Sequence, residues 1–268
     1  QPRITIAIPF HKGLDYLRLA VASALAQDEG RLELLVCDEG AEGEKPAELL
    51  RGFCDARIRH HRNREPLGMA RNWNQCIDLA RAERVTLLHQ DDLLQPGYAS
   101  LMLALGAAHP EAVAGFCGAR IIGARGEPVF SFPDRIKGLF VPRGSGDLLL
   151  RGEAAVGRLL AGNFIMTPTL CFDRRILGAL RFSEEWRQVQ DLELTTRLLE
   201  AGHLLVGSRE RAYCYRRHAQ SATEQQSRSL LRFEEEFRLY DHVAERCARR
   251  GWSRAARVAR RKTMLKLH

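Results

Sequence analysis

The stretch His89-Gln-Asp-Asp-Leu-Leu-Gln-Pro-Gly97 follows the apolar run 84–88 and sets two carboxylates, Asp91 and Asp92, at the predicted carboxyl end of a strand. Adjacent acids repel each other, so the pair makes sense where a divalent cation arrives to share the charge. Mg2+ and Mn2+ take oxygen ligands, and a diphosphate needs its charge offset by such an ion. Either acid alone can instead close a turn, and Asp92 can cap the helix that opens near Pro96. Asp38-Glu39-Gly40 repeats the arrangement after an earlier apolar run. Asp38 either forms a turn or accepts from a uracil N3–H or a ribose hydroxyl, while Gly40 lets a ligand approach the backbone.

Three further groups carry chemistry. Asn63, Gly68, Arg71 and Asn72 surround the start of a helix; free N–H groups and a bidentate guanidinium suit a nucleotide, and capping with a surface arginine is the plainer reading. Asp191 falls in the first turn of a helix predicted from Val189. The helix dipole favours an ionised carboxylate there, which either serves as a general base or only stabilises the helix start. Arg216, Arg217 and His218 follow a strand: arginines can meet phosphate, and a neutral imidazole can ligate a metal.

Elements must hold these residues. Residues 3–10, 31–40, 57–63 and 84–90 read as strands, and 13–27, 45–55, 67–82 and 96–108 as helices between and after them. Strands alternating with helices through short connections predict parallel βαβ units, with ligands beyond the strands' carboxyl ends. The loops 9–13, 37–40 and 89–92 occupy that edge. Beyond 111 the pattern predicts a hairpin from 112–123 and 127–132, a surface loop over 133–147, a helix near 150–161, a strand at 168–172, a helix over 189–201, a strand at 211–217, and helix to the end.

The motifs, in this order, resemble family 2 glycosyltransferases of the GT-A fold over residues 3–220. "ITIAIPFHKGLDYLRLAVASALAQ" resembles the family's opening strand, Pro-turn and helix, and "LELLVCDEG" its second strand, with Glu39 replacing the usual Asp. "NREPLGMARNWNQCIDLARAERVTLLHQDD" resembles the segment that ends in D-x-D, with His89 where the first Asp is usual. "VQDLEL" resembles the Glu-Asp motif, with Gln190 replacing Glu, and "YRRHAQSAT" the Tyr-Arg-x-His segment.

The resemblance implies an α/β chain with one doubly wound, mostly parallel sheet flanked by helices. Residues 1–125 would be the nucleotide-sugar half, 126–220 the acceptor half and 221–268 a basic helical extension. It implies an inverting, metal-dependent transfer from a nucleoside diphosphate sugar, UDP favoured, to a glycan or lipid-linked acceptor in polysaccharide, glycolipid or glycoconjugate synthesis. Asp191 would be the base. Pro9, Asp38, Glu39, Asn63, Gly68, Arg71 and Asp91 would bind the donor, and Asp91, Asp92 and His218 would hold Mn2+ or Mg2+. Asn163 is the acceptor-side candidate. A non-catalytic module of the same fold is the alternative, since His89, Glu39 and Gln190 can mark decay. A sugar nucleotidyltransferase fits less well, because the loop 9–17 has one Gly and one Lys.

Composition sets the bounds. The 268 residues, 45% hydrophobic and 28% charged, suit a soluble globular chain, and no apolar run reaches the ~18–20 residues that span a bilayer. The seven cysteines are scattered without C-x-x-C spacing and read as thiols in a reducing, cytoplasmic compartment. Residues 246–268 hold nine Arg or Lys and no acid, against a net charge of +8 for the whole chain. The basicity belongs to that tail, which argues against nucleic-acid binding across the whole surface. The tail suits peripheral contact with an anionic membrane face, or an Arg-rich face packed on the body or on another subunit of a homo-oligomer.

Overall fold

The computed structural model describes residues 1–40, 43, 45–131, 136–219 and 231–262. The first half alternates strand and helix: β1 (Ile4–Phe10), α1 (Leu14–Leu25), β2 (Leu32–Asp38), α2 (Pro46–Arg51), β3 (Ile58–Arg62), α3 (Met69–Leu79) and β4 (Arg84–Leu87). Then come β5 (Leu93–Leu94), α4 (Tyr98–Ala108), β6 (Ala112–Ile122), β7 (Leu148–Leu150), α5 (Gly152–Gly162), a 3-10 turn (Thr167–Thr169), β8 (Cys171–Asp173) and α6 (Arg174–Leu177). The chain continues through α7 (Gln190–Glu200), β9 (Leu204–Arg216), α8 (Leu231–Arg249) and α9 (Ser253–Arg261).

The strands form one nine-stranded sheet in the order β3-β2-β1-β4-β8-β6-β9-β5, with β7 also on β9. β1 to β4, β6 and β9 run one way, while β8, β5 and β7 run against them. This is the mixed, mostly parallel sheet expected of the GT-A fold. Ile4, Ile6, Ile8 and Phe10 meet α1 and α4 on one face, and Ala7, Leu35 and Cys37 join the core with α3 and the later helices on the other. Burial on both faces explains why β1 and β2 read as nearly continuous apolar runs. α1 turns Leu17, Ala20, Val21 and Ala24 inward, the spacing of one helical face.

The second half departs from the expected elements in two places. Among the described residues, 127–131 forms no second hairpin strand: β6 meets it in a single bridge, Ile122 to Pro128, and a proline has no N–H to extend a ladder; residue 132 lies outside the described residues. β9 starts at Leu204 rather than 211 and takes the charged run 208–211 through irregular register against β6. Each of the seven cysteines is a free thiol, and only Cys54 is exposed.

The basic segment is not a separate unit. Leu239, Val243, Cys247, Ala255, Ala256 and Ala259 belong to the same core cluster as Val156, Leu159, Leu198 and Leu199. Arg246 forks onto Glu200 at 2.8 and 3.1 Å, and Tyr240 donates to the Leu160 carbonyl at 2.7 Å. Glu153 on α5 accepts from the Arg254 and Ala255 amides and caps α9 from outside that helix. Among the described residues no helix is long and apolar enough to cross a membrane.

Candidate functional site

β1, β2, β4 and β9 bring their carboxyl ends to one edge of the sheet. There the two neighbouring acids separate completely. Asp92 is 1% exposed. Its Oδ2 accepts from the Tyr213 hydroxyl at 2.8 Å and its Oδ1 from the Arg216 amide at 2.7 Å. Burial, with Asp91 beside it, pushes its pKa well above the usual carboxylate range, against those two hydrogen bonds. Asp92 therefore ties β9 to the strand-end loop, both of its carboxylate oxygens accepting hydrogen bonds inside the protein.

Asp91 does the opposite. Its Oδ2 lies 2.9 Å from His218 Nε2, and its side chain keeps 20% of its surface exposed. Burial alone would raise its pKa; the His218 hydrogen bond and the His89 and His218 interactions outweigh it and hold the carboxyl below its usual value. The Tyr16 ring packs on His218 with centroids 4.7 Å apart. Arg216, expected to meet phosphate, is 2% exposed. Its Nε donates to the Asp91 carbonyl, and its Nη1 to the Gly123 and Ala124 carbonyls. That guanidinium is occupied in fastening the loop that carries Asp91.

The carboxylate oxygen suits Mn2+ or Mg2+, the imidazole nitrogen beside it is open to Mn2+ rather than to the oxygen-preferring Mg2+, and either ion completes its shell with substrate phosphate and water. Among the described residues no group of three or more His, Cys, Asp or Glu side chains gathers to hold a metal. A cation here would thus be shared with the ligand.

His89 stacks on Trp73, with centroids 5.1 Å apart and planes at 24°. Burial holds its pKa below the ordinary histidine value, against the charges of Asp91 and Asp191. That interaction places Asp191, the second residue of α7, in the same electrostatic neighbourhood as Asp91. Asp191 is half-buried, and its Oδ1 accepts from the Leu192 amide at 2.7 Å. Beside it, Gln190 donates to the Met69 sulfur at 3.1 Å. Gln90, which sequence reasoning passed over, accepts from the His11 amide at 2.7 Å and donates to the Lys12 carbonyl. It clips the first loop to the third.

The donor-side acids are largely committed to the fold. Glu39 is 5% exposed; its Oε2 accepts from the Leu67 and Gly68 amides, both at 3.0 Å, and its Oε1 from Asn63 at 3.2 Å. Asn63 also donates to Asn72, which in turn donates to the Cys37 carbonyl. A longer acid in place of Asp reaches the 64–68 loop and fixes the entry to α3, where Gly68 has a φ of 81° that favours glycine. Asp38, 1% exposed, accepts from the Gly40 amide at 2.8 Å and lies 3.3 Å from His60 Nε2. Pro9 is half-buried in β1 opposite Cys37. Arg71 is 52% exposed and meets Glu184 at 3.8 Å. Asn163 ends α5 with a φ of 34°, its amide on the Leu159 carbonyl; asparagine at a left-handed cap explains that residue structurally.

Residues 5–147 match the sequence model of the family described as Glycosyl transferase family 2. An uncharacterized protein of Mycobacterium tuberculosis (strain CDC 1551 / Oshkosh), MT1568, is 29% identical over 97 residues, 36% of this chain and 30% of that protein. An uncharacterized glycosyltransferase of Rickettsia bellii (strain RML369-C) is 30% identical over 96 residues, 35% of this chain and 14% of that protein. These matches span less than a third of either relative. Among solved structures, S. aureus TarS 1-349 in complex with UDP-GlcNAc superposes with a TM-score of 0.70 at 13% identity, covering 91% of this chain and 66% of that one. The mannosyltransferase PcManGT from Pyrobaculum calidifontis, in complex with GDP-Man and Mn2+, gives 0.65 at 14% identity, covering 98% and 74%. At such identities the likeness is one of fold.

Proposed function

The chain belongs to glycosyl transferase family 2, and from that premise we propose that it is an inverting glycosyltransferase using a nucleoside diphosphate sugar. The observation that carries the reading is the Asp91–His218 pair at 2.9 Å on the carboxyl edge, with Asp191 close enough to act on the neighbouring His89. The donor lies across that edge, its diphosphate toward Asp91 and its nucleoside toward the 38–40 turn and Gly68. UDP is favoured as the nucleotide. Asp38, Glu39 and Asn63 shape this floor through the hydrogen bonds they already make, and Pro9 lines its near side. Arg71 is available to the phosphates, because leaving an exposed partner such as Glu184 costs only ~0–1 kcal/mol.

When bound, Mn2+ or Mg2+ offsets the charge that grows on the departing diphosphate; Asp91 and His218 would hold it. We assign Asp92 a structural role in place of the ligand role expected of it. Asp191 takes the proton of the acceptor hydroxyl as that oxygen bonds to the anomeric carbon. The bond from that carbon to the diphosphate oxygen breaks on the opposite face, and the electron pair leaves with the diphosphate, so configuration inverts. His89, its pKa held down by burial, adds a neutral wall on Trp73 between the two acids. The acceptor, a glycan or lipid-linked hydroxyl of polysaccharide or glycoconjugate synthesis, enters from the side of the segment after α5 that starts at Asn163.

A thermal-shift screen of UDP, GDP and thymidine diphosphate with Mn2+, with Mg2+ and without metal tests the donor side. A ligand at 100 times its Kd stabilises the native state by about 2.7 kcal/mol, so UDP with Mn2+ should raise the melting temperature by several degrees. If no nucleoside diphosphate shifts it with either metal, the reading fails.

A further inference from the structure

The basic C-terminal segment has two faces with different fates. On α9, Ala255, Ala256 and Ala259 turn inward and are at most 2% exposed, while Arg254, Arg257, Arg260 and Arg261 are exposed. Arg257 and Arg261 stand four residues apart, where like charges repel and weaken a helix. Arg246 and Lys262 are the basic groups here that find acids, Glu200 and Asp241. Among the described residues none of Arg249, Arg254, Arg257, Arg260 and Arg261 joins an ion pair. A cavity of about 460 Å³ opens beside them, lined by Gly251, Ser253, Arg257, Arg260 and Arg261 among others. Its hydroxyl and guanidinium donors suit a phosphate.

Two cation–ring contacts stand at the ends of α9. Trp252, half-buried at the start of α9, has the Arg250 guanidinium 5.8 Å from its ring centroid. Phe237, 39% exposed, has the Lys262 ammonium 4.9 Å from its centroid at the far end. A Lys- and Arg-rich helix face with Trp or Phe nearby is a pattern found in helices that lie at a lipid headgroup layer. With its apolar stripe already buried in the protein, α9 can lie on such a layer without inserting.

We propose that the arginine face of α9 and its adjoining cavity dock the chain on an anionic membrane surface, the cavity taking a lipid phosphate. The inference rests on charge complementarity and stands apart from the transfer reaction. Vesicle flotation at low salt tests it, comparing phosphatidylcholine alone with phosphatidylcholine containing phosphatidylglycerol. The whole chain should float with the anionic vesicles only and be released as salt rises. The triple variant R257Q/R260Q/R261Q, altered only at exposed side chains, should bind on the order of 100-fold more weakly at an unchanged melting temperature. The triple Arg→Lys variant at those positions should keep most of the binding. Equal binding by wild type and the Gln variant, or equal capture by neutral vesicles, overturns the proposal. So does tighter binding of single-stranded RNA that is lost in the same variant.

Discussion

Asp92 gives both carboxylate oxygens to Tyr213 and the Arg216 amide, whereas Asp91 meets His218 at the open edge. Removing each acid should therefore damage a different property. Asp92→Ala leaves a buried hydroxyl and amide without acceptors and should cost about 2–4 kcal/mol in urea unfolding. Asp91→Ala and His218→Ala should melt within a few degrees of wild type and lose the extra stabilisation that Mn2+ gives with a nucleoside diphosphate. A metal-dependent shift that survives in both would detach the pair from the cation. The sequence alone showed two adjacent acids but not which one faces outward. That depends on residues from β9 more than 120 positions away, and the sequence named His218 as a candidate ligand without showing that it meets Asp91. Glu39 and Gln90 show the same limit: both hold backbone amides or carbonyls of loops whose path a spacing pattern does not contain.

The elements most clearly legible were those with strong periodicity. β1, β2, α1 and α3 follow from apolar runs and helical spacing, and the parallel order from their alternation. Short or charged strands left little trace: β5 and β7 are two and three residues long, and β9 passes through a charged stretch of irregular register before its buried end at the site. The antiparallel insertion of β8 between β4 and β6 also came from the structure. There Asp173 is fully buried at the end of β8, pairs with Arg84 of β4 at 3.2 Å and with Arg175 at 2.9 Å, and accepts the first amides of α6. Burial alone would raise its pKa, but the Arg175 hydrogen bond and the Arg84 charge hold it below the usual value. With the folded pKa depressed, the stabilisation is present above the unfolded value of about 3.9 and lost as pH falls through the folded one. Asp173→Asn keeps the cap and breaks the buried pair, so it should lose about 3 kcal/mol at pH 7. The gap to wild type should narrow below about pH 4; a gap independent of pH would refute the linkage.

Across the whole molecule, one core joins the sheet to α8 and α9, and the basic segment expected as an extension shares it. Ala259 is fully buried in that cluster. Ala259→Asp puts an unpaired charge there and should cost about 3 kcal/mol or more. The loss should appear in a single transition shared by Trp73 near the site and Trp252 at the α9 turn. Two separate transitions would mean that the C-terminal helices fold apart from the sheet. The charge asymmetry was legible from composition; its division into a buried alanine stripe and an outward arginine face required the packing of α9 on α5.

The role of Asp191 as the group that takes the acceptor's proton is tested most directly by the Asp191→Asn variant. Nucleoside diphosphate release and donor affinity should be measured together, with Mn2+ and an accepted donor and acceptor. A positioned base contributes roughly 10²–10⁴-fold, so the variant should bind donor as wild type does and transfer at least ~100-fold more slowly. Transfer within a few-fold of wild type would contradict the account.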